Sequence, residues 1–264
     1  MDLQLQGRRA LVTGATAGIG FAIARALAAE GVEVLINGRS RERVDAAIQG
    51  LRSELPAAQL RPAVADLSDA AGVAGLLGVH PEVDLLVNNL GIFEPLPFEQ
   101  IADADWQRFF DINVMSGVRL SRHHLPRMKA RGWGRIVFIS SESGLCPPAE
   151  MLHYGLSKTA QLALSRGLAE TTVGSGVTVN AVLPGPTRTE GVGGFLAKLA
   201  REQGLSVAEA EQRFFAEARP SSLIKRFIEP REVASLVAYL CSPLAAATNG
   251  AALRADGGVV RTLA

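Results

Sequence analysis

Tyr154 and Lys158 stand four residues apart in a helical pattern, so their side chains share one face. A phenol titrates near ~10 and needs help to exchange protons at neutral pH. An ammonium about 4 Å away, at an effective dielectric near 20, would supply roughly 4 kcal/mol, or ~3 pKa units. That would bring the tyrosine into range as a general acid or base. Helices hold many Tyr-x3-Lys pairs by chance, but this chain has only two tyrosines. Thirteen residues before Tyr154, an apolar run from Gly134 ends in Ser140 and Ser141. A hydroxyl there could hold a substrate carbonyl while Tyr154 donates a proton. The plainer alternative is a serine in an ordinary turn.

A second constellation lies near the start, Thr13-Gly14-Ala15-Thr16-Ala17-Gly18-Ile19-Gly20. Glycines let a backbone turn sharply and approach a pyrophosphate, and the helix that follows offers free N–H groups. The spacing is Gly-x3-Gly-x-Gly rather than the commoner Gly-x-Gly-x-x-Gly; tight packing is the alternative. About twenty residues on, a carboxylate would bind a ribose 2′-hydroxyl and repel a 2′-phosphate. No Asp or Glu occupies 37–41; the stretch reads Asn37-Gly38-Arg39-Ser40-Arg41. The Arg39 guanidinium suits a phosphate, with Arg41 able to share the load. Asn37 and Ser40 can hydrogen-bond either form of the ribose.

These residues need a scaffold. Strand-like runs at 10–13, 32–37, 61–65, 85–88, 136–140, 177–182 and 251–255 alternate with helical patterns at 19–30, 41–51, 105–129, 154–172 and 232–240. That alternation implies βαβ units and a parallel sheet covered on both faces, hence an α/β doubly wound Rossmann-type sheet of about seven strands. One domain, 1–264, is expected. The rhythm breaks only at 184–220, with helical patterns at 195–203 and 207–219. An insertion beyond a strand's carboxyl end reads as a substrate lid at about 186–220, or as a static surface excursion.

Composition narrows the function classes. A chain of 264 residues with 48% hydrophobic and 20% charged content is neither disordered nor short of core. Its net charge of +1 gives no support for nucleic acid as a partner. Two cysteines, Cys146 and Cys241, cannot build a disulfide framework and suit a reducing compartment. Arg8-Arg9 before an apolar stretch mimics an export signal, but glycines break that stretch. The uncharged run from Val233 is interrupted by Pro243, Asn249 and Gly250, so no membrane span is expected. The expectation is a soluble, cytoplasmic protein. His123-His124 lacks nearby acidic or thiol ligands, and no metal is expected. His153, Glu142 and Cys146 could line a substrate pocket. Trp106, Phe109 and Phe110 read as core or subunit interface.

Thr13-Gly14-x3-Gly18-Ile19-Gly20, Asn88-Asn89-Leu90-Gly91, Asn113, Ser141, Tyr154-x3-Lys158 and Pro184-Gly185 stand in order, and the chain resembles the short-chain dehydrogenase/reductase family from Gly7 to Gly258. The likeness is greatest to the oxoacyl-thioester and carbonyl reductase branch. It implies that Gly14, Gly18, Ile19 and Gly20 cradle the cofactor's pyrophosphate, with Thr16 in the same turn, and that Asp66 and Leu67 meet the adenine. It implies that Asn88 and Gly91 shape the cofactor floor, and that Pro184, Gly185 and Thr187 position the nicotinamide. Asn113 would hold a water that passes protons to Lys158, Ser141 would polarise the carbonyl, and Tyr154 would be the general acid or base. Lys158 would also bind the nicotinamide ribose. Leu90 departs from the family's usual alanine. The family also packs the 105–129 helix and that of Tyr154 between subunits, which implies a homotetramer.

The expected activity is NADP(H)-dependent reduction of a ketone or oxoacyl-type carbonyl to an alcohol, or the reverse. Two rivals stand beside it. One is an NAD-dependent dehydrogenase of alcohols, sugars or steroids. The other is a non-catalytic nucleotide-sensing protein, which would typically have lost Tyr154 or Lys158.

Overall fold

The computed structural model describes residues 2–263, so Met1 and Ala264, the ends of the expected 1–264 span, lie outside it. The strands are β1 (Arg9–Val12), β2 (Glu33–Gly38), β3 (Leu60–Val64), β4 (Leu85–Asn88), β5 (Gly134–Ile139), β6 (Val177–Pro184) and β7 (Ala252–Ala255). They form one seven-stranded sheet in the order β3-β2-β1-β4-β5-β6-β7, with every pairing parallel. β4, β5 and β6 are buried along their whole length, as strands covered on both faces must be.

One face is packed by α1 (Gly18–Ala29), α2 (Arg41–Glu54) and α9 (Pro230–Cys241), whose Ile23, Leu27, Ile48 and Val237 join Val12, Val34 and Ile36. The other carries α3 (Ala70–Val79), α5 (Ser116–Ala130) and α6 (Leu152–Glu170), with Leu76, Leu120 and Met128 against Leu11, Leu86 and Phe138. β1 and β4 are neighbours whose connections leave to opposite faces. That topological switch opens a crevice beyond the strands' carboxyl ends.

Three elements differ from the sequence reading. α3 was not expected; its Gly72, Gly75 and Gly78 interrupt any amphipathic period, yet Asp69 caps it by accepting from Gly72 N at 2.7 Å. The single helix expected over 105–129 is instead α4 (Asp103–Phe110), a π-helical turn at Asp111–Met115, and α5. The break has a cause in Asn113, whose carbonyl accepts from Gln161 and whose side chain is held by Ile92, outside the i→i−4 ladder. The excursion contains α7 (Glu190–Gln203) and α8 (Val207–Glu217), whose Leu196 and Phe215 form a small apolar cluster with Phe227 from the segment after it, flanked by Val192 and Phe214.

Phe138 is fully buried on β5, and its ring occupies the space that Gly117 leaves open: a β-carbon there would come within 2.8 Å of it. Phe138→Ala should cost roughly 3–5 kcal/mol. Urea denaturation should show a lowered midpoint with little change in slope.

Candidate active site

The crevice is a cavity of about 500 Å³ that runs from the β1–α1 turn past β2 and β3 to Tyr154 and Lys158. Gly14 and Gly18 adopt positive φ of 61° and 57°. A β-carbon on Gly20 would lie 2.4 Å from both Gly14 O and Asn89 Nδ2. The N-terminus of α1 has no side-chain cap, so its first N–H groups face the cavity unclaimed by a side chain. A glycine cradle on an uncapped helix start fits a pyrophosphate. Thr16 and Ile19 line the same end.

Asn37 lines this end of the cavity, but its side chain is already engaged by the protein. It is fully buried, accepts from Gly14 N and donates to Ala63 O and Ala65 O, knitting three strand ends together. Ser40 lines the cavity and caps α2 by accepting from Arg43 N at 3.3 Å. Arg41 is committed to Asp45 at 2.7 Å and lies outside the cavity lining. Arg39 and Arg43 line it instead, with Arg39 close enough to Asp66 to act on its carboxyl. Arg43 is the cation that sequence reasoning missed; it sits one helical step inside α2. Asp66 and Leu67 also line this end. Hydrogen bonding from the Ser68 backbone holds the Asp66 carboxyl below its usual range despite partial burial, with Arg39 adding to the effect.

Asn88 is another departure. Its side chain is buried behind β4, donating to Ser121 Oγ at 3.4 Å, and does not line the cavity. Asn89 lines it and ties the two central turns together, donating to Thr13 O at 2.8 Å and Gly14 O at 3.1 Å. Leu90 and Gly91 continue the floor. A β-carbon on Gly91 would meet Lys158 Nζ at 3.3 Å and Asn113 Oδ1 at 3.4 Å.

Lys158 is buried on α6 and donates to Ile139 O at 2.9 Å and Gln161 Oε1 at 3.2 Å. Burial pulls its ammonium down to about 7, with Glu142 opposing. Asn113 accepts from Ile92 N at 2.8 Å and donates to Ser157 Oγ at 2.9 Å, and its carbonyl is taken by Gln161. The Gln161 side chain therefore links the Lys158 ammonium to the backbone carbonyl of Asn113. Gln161, one helical turn after Lys158, was legible as a neighbour but was not singled out.

Tyr154 lines this cavity and also a second one of about 470 Å³, walled by Ser141, Glu142, Pro184, Gly185 and Thr187 and roofed by α7 and α8. Its phenol is pushed above its ordinary range, first by burial and then by the Glu142 carboxylate; Ser141 and Arg219 act the other way. Lys158 Nζ is 5.6 Å from the Tyr154 ring centroid and turned to its own acceptors. Lys158 is not among the groups that lower the phenol, and burial sets the direction. Ser141 donates to Glu142, which also pairs with Arg219 Nε at 3.5 Å. Arg219, beyond α8, was not among the sequence candidates, and nothing in the local pattern distinguished it. His153 faces Phe109 and Trp106 rather than the cavity. Cys146 and Cys241 are free thiols. Among the described residues no group of three or more His, Cys, Asp or Glu could hold a metal, and no helix is long and apolar enough to cross a membrane.

Comparison with known proteins agrees with this geometry. The family model for short chain dehydrogenase matches residues 8–199. An uncharacterized oxidoreductase of Bacillus subtilis, YvaG, is 52% identical over 263 residues, covering 100% of both chains. D-beta-hydroxybutyrate dehydrogenase of Cupriavidus necator is 33% identical, covering 97% of this chain and 99% of its own. L-sorbose reductase from Gluconobacter frateurii, solved with NADPH and L-sorbose, superposes with a TM-score of 0.94 at 30% identity, covering 100% of both chains. A glycine cradle, a buried Tyr-x3-Lys pair and these full-length likenesses have one common reading: the chain belongs to the short-chain dehydrogenase/reductase family, an oxidoreductase of CH–OH and C=O groups.

Proposed function

We propose that the protein is an NADP(H)-dependent carbonyl reductase. The observation that carries this reading is that Tyr154 lines both cavities, with Lys158 in one and Ser141 in the other. A bound reduced nicotinamide would supply a hydride to a carbonyl carbon in the second cavity. Gly14, Gly18, Ile19 and Gly20 would hold its pyrophosphate, Asp66 and Leu67 its adenine, and Pro184, Gly185 and Thr187 its nicotinamide end. Ser141 turns its hydroxyl to the carbonyl oxygen, and Tyr154 gives that oxygen its proton. Lys158 and Asn113 hold the proton path behind the tyrosine, with Gln161 as the link. A phenol raised by burial holds its proton at neutral pH, the form in which it serves as general acid for reduction.

NADPH is the preferred partner because Arg39 and Arg43 flank the ribose end and no carboxylate occupies 37–41. The NADPH held by the L-sorbose reductase structure supports the same choice. In this reading 186–220 is a lid on one catalytic domain, tied within itself by Arg188 to Glu211 at 2.9 Å and anchored to the rest by Arg188 to Glu229 and Arg219 to Glu150, each at 3.3 Å. Closing it excludes water from the hydride path. Exposed Phe98, Phe110 and Leu156, near α4 and on α6, supply apolar surface for a homotetramer. The setting is the cytoplasm, where free thiols are stable.

Tyr154→Phe should lower carbonyl reduction by ~10²–10⁴ while NADPH affinity, read by fluorescence, stays near wild type. Unchanged turnover would sink the catalytic assignment and favour a nucleotide-sensing role.

Arg39→Asp should move kcat/KM away from NADPH and toward NADH. Charge-assisted bonds contribute roughly 1.5–3 kcal/mol, or about ten- to hundredfold. A wild type that prefers NADH, or a variant with unaltered preference, would make Arg39 a solvated loop residue and favour the NAD-dependent rival.

Lys158→Met should stabilise the ligand-free protein. The folded ammonium titrates near 7 and its ordinary value is 10.5, so the unfolded chain binds the extra proton between them. The penalty is complete below about 7, fades as pH rises, and vanishes above 10.5. The gain should be on the order of a few kcal/mol near neutrality. Thermal melts of variant and wild type should diverge at about pH 6 and converge toward about pH 10.

A further inference from the structure

Glu142 sits in the wall of the second cavity with its side chain 7% exposed. A carboxylate so buried needs a donor on each oxygen. Arg219 Nε forms an ion pair with one at 3.5 Å, and the Ser141 hydroxyl donates to the other. Ser141 has a single hydrogen to give. A ketone oxygen can only accept, so a carbonyl polarised by Ser141 must take that hydrogen from Glu142. With a plain ketone, Oε2 is left bare in a largely apolar wall.

A hydroxyl on the carbon next to the carbonyl removes the conflict. In the eclipsed arrangement the two substrate oxygens lie roughly 2.8 Å apart, about the length of an O–H···O bond. Ser141 Oγ and Glu142 Oε2 are also hydrogen-bonded neighbours, so the two pairs can face each other. Ser141 turns to the carbonyl as the substrate hydroxyl turns to Glu142, and every buried oxygen keeps a partner. We propose that the protein acts on neutral α-hydroxyketones, with Glu142 as the specificity-determining acceptor of the hydroxyl beside the carbonyl. The proposal rests on the carbonyl reductase reading. Hydride enters at the carbonyl carbon, the Tyr154 proton goes to its oxygen, and the α-hydroxyl is unchanged, so the product is a vicinal diol. A 2-oxo acid would instead press a carboxylate against Glu142 and be disfavoured.

Hydroxyacetone, acetone and pyruvate form a matched three-carbon series for initial rates with NADPH. Wild type should favour hydroxyacetone over acetone by about ten- to hundredfold in kcat/KM, with pyruvate no better than acetone. Glu142→Gln, which keeps the shape and removes the charge, should abolish most of that ratio. Comparing the two proteins cancels the hydroxyl's own activation of the carbonyl. Equal rates for hydroxyacetone and acetone, an unaltered ratio in the variant, or a preference for pyruvate (which would make Arg219 the ligand) would each overturn the proposal. A second measurement needs no turnover: ligand-observed NMR of propylene glycol and isopropanol with the protein and NADP⁺. The diol should bind at least about tenfold tighter in wild type and lose that advantage in Glu142→Gln. Failure of all three carbonyls to react would count against the reductase reading, while the diol comparison would still decide on Glu142.

Discussion

Where β1 and β4 lie side by side, the chain leaves them toward opposite faces, and the backbone of both departing turns falls outside any strand ladder. Buried polar groups of that kind must find partners. Thr13 Oγ1 accepts from Asn89 N and Leu90 N, each at 2.9 Å, while Asn89 Nδ2 returns bonds to Thr13 O and Gly14 O. Asn37 accepts from Gly14 N on the far side. Everything else at the site depends on this seam. It fixes the glycine turn against α1, holds the floor at Gly91, and sets how closely Lys158 and Asn113 approach that floor.

The second layer of organisation is the burial of charge. Among the described residues Lys158 has no carboxylate in an ion pair with it; it is held by a strand-end carbonyl and by Gln161. The site thus stores an unfavourable cation beside a phenol reluctant to ionise. Stability is given up here, and the two large apolar clusters on either face of the sheet compensate. The π-helical turn at Asp111–Met115 belongs to the same economy, freeing the carbonyl of Asn113 for Gln161.

Much of this was legible in the residues. Strand-like runs separated by amphipathic patterns gave the sheet, its parallel sense and its approximate bounds, because central strands buried on both faces are continuously apolar. Tyr154, Lys158, Ser141 and the glycine turn were visible because their spacing is local. The failures have physical reasons. α3 carries three glycines and no apolar stripe, so its helicity comes from the Asp69 cap and packing of Val73 and Leu76. That Asn88 turns away from the cavity was not legible, because alternation along a strand does not say which polar residue turns inward at its end. Arg219 reaches Glu142 across 77 positions (219 − 142), a pairing that only the folded chain creates.

The α7–α8 roof is packed around Leu196, Phe215 and Phe227 rather than drawing on either face of the sheet. Its cohesion is therefore separable from that of the sheet, and its opening free energy can lie well below that of global unfolding. Substitutions around that cluster reshape the space above Ser141, whereas Thr189, Glu190 and Gly191 at the start of α7 also border the cavity of the glycine cradle. The fold thus divides into a sheet-borne cradle and a separately packed cover, so a change in the core of that cover acts first on the space above Ser141.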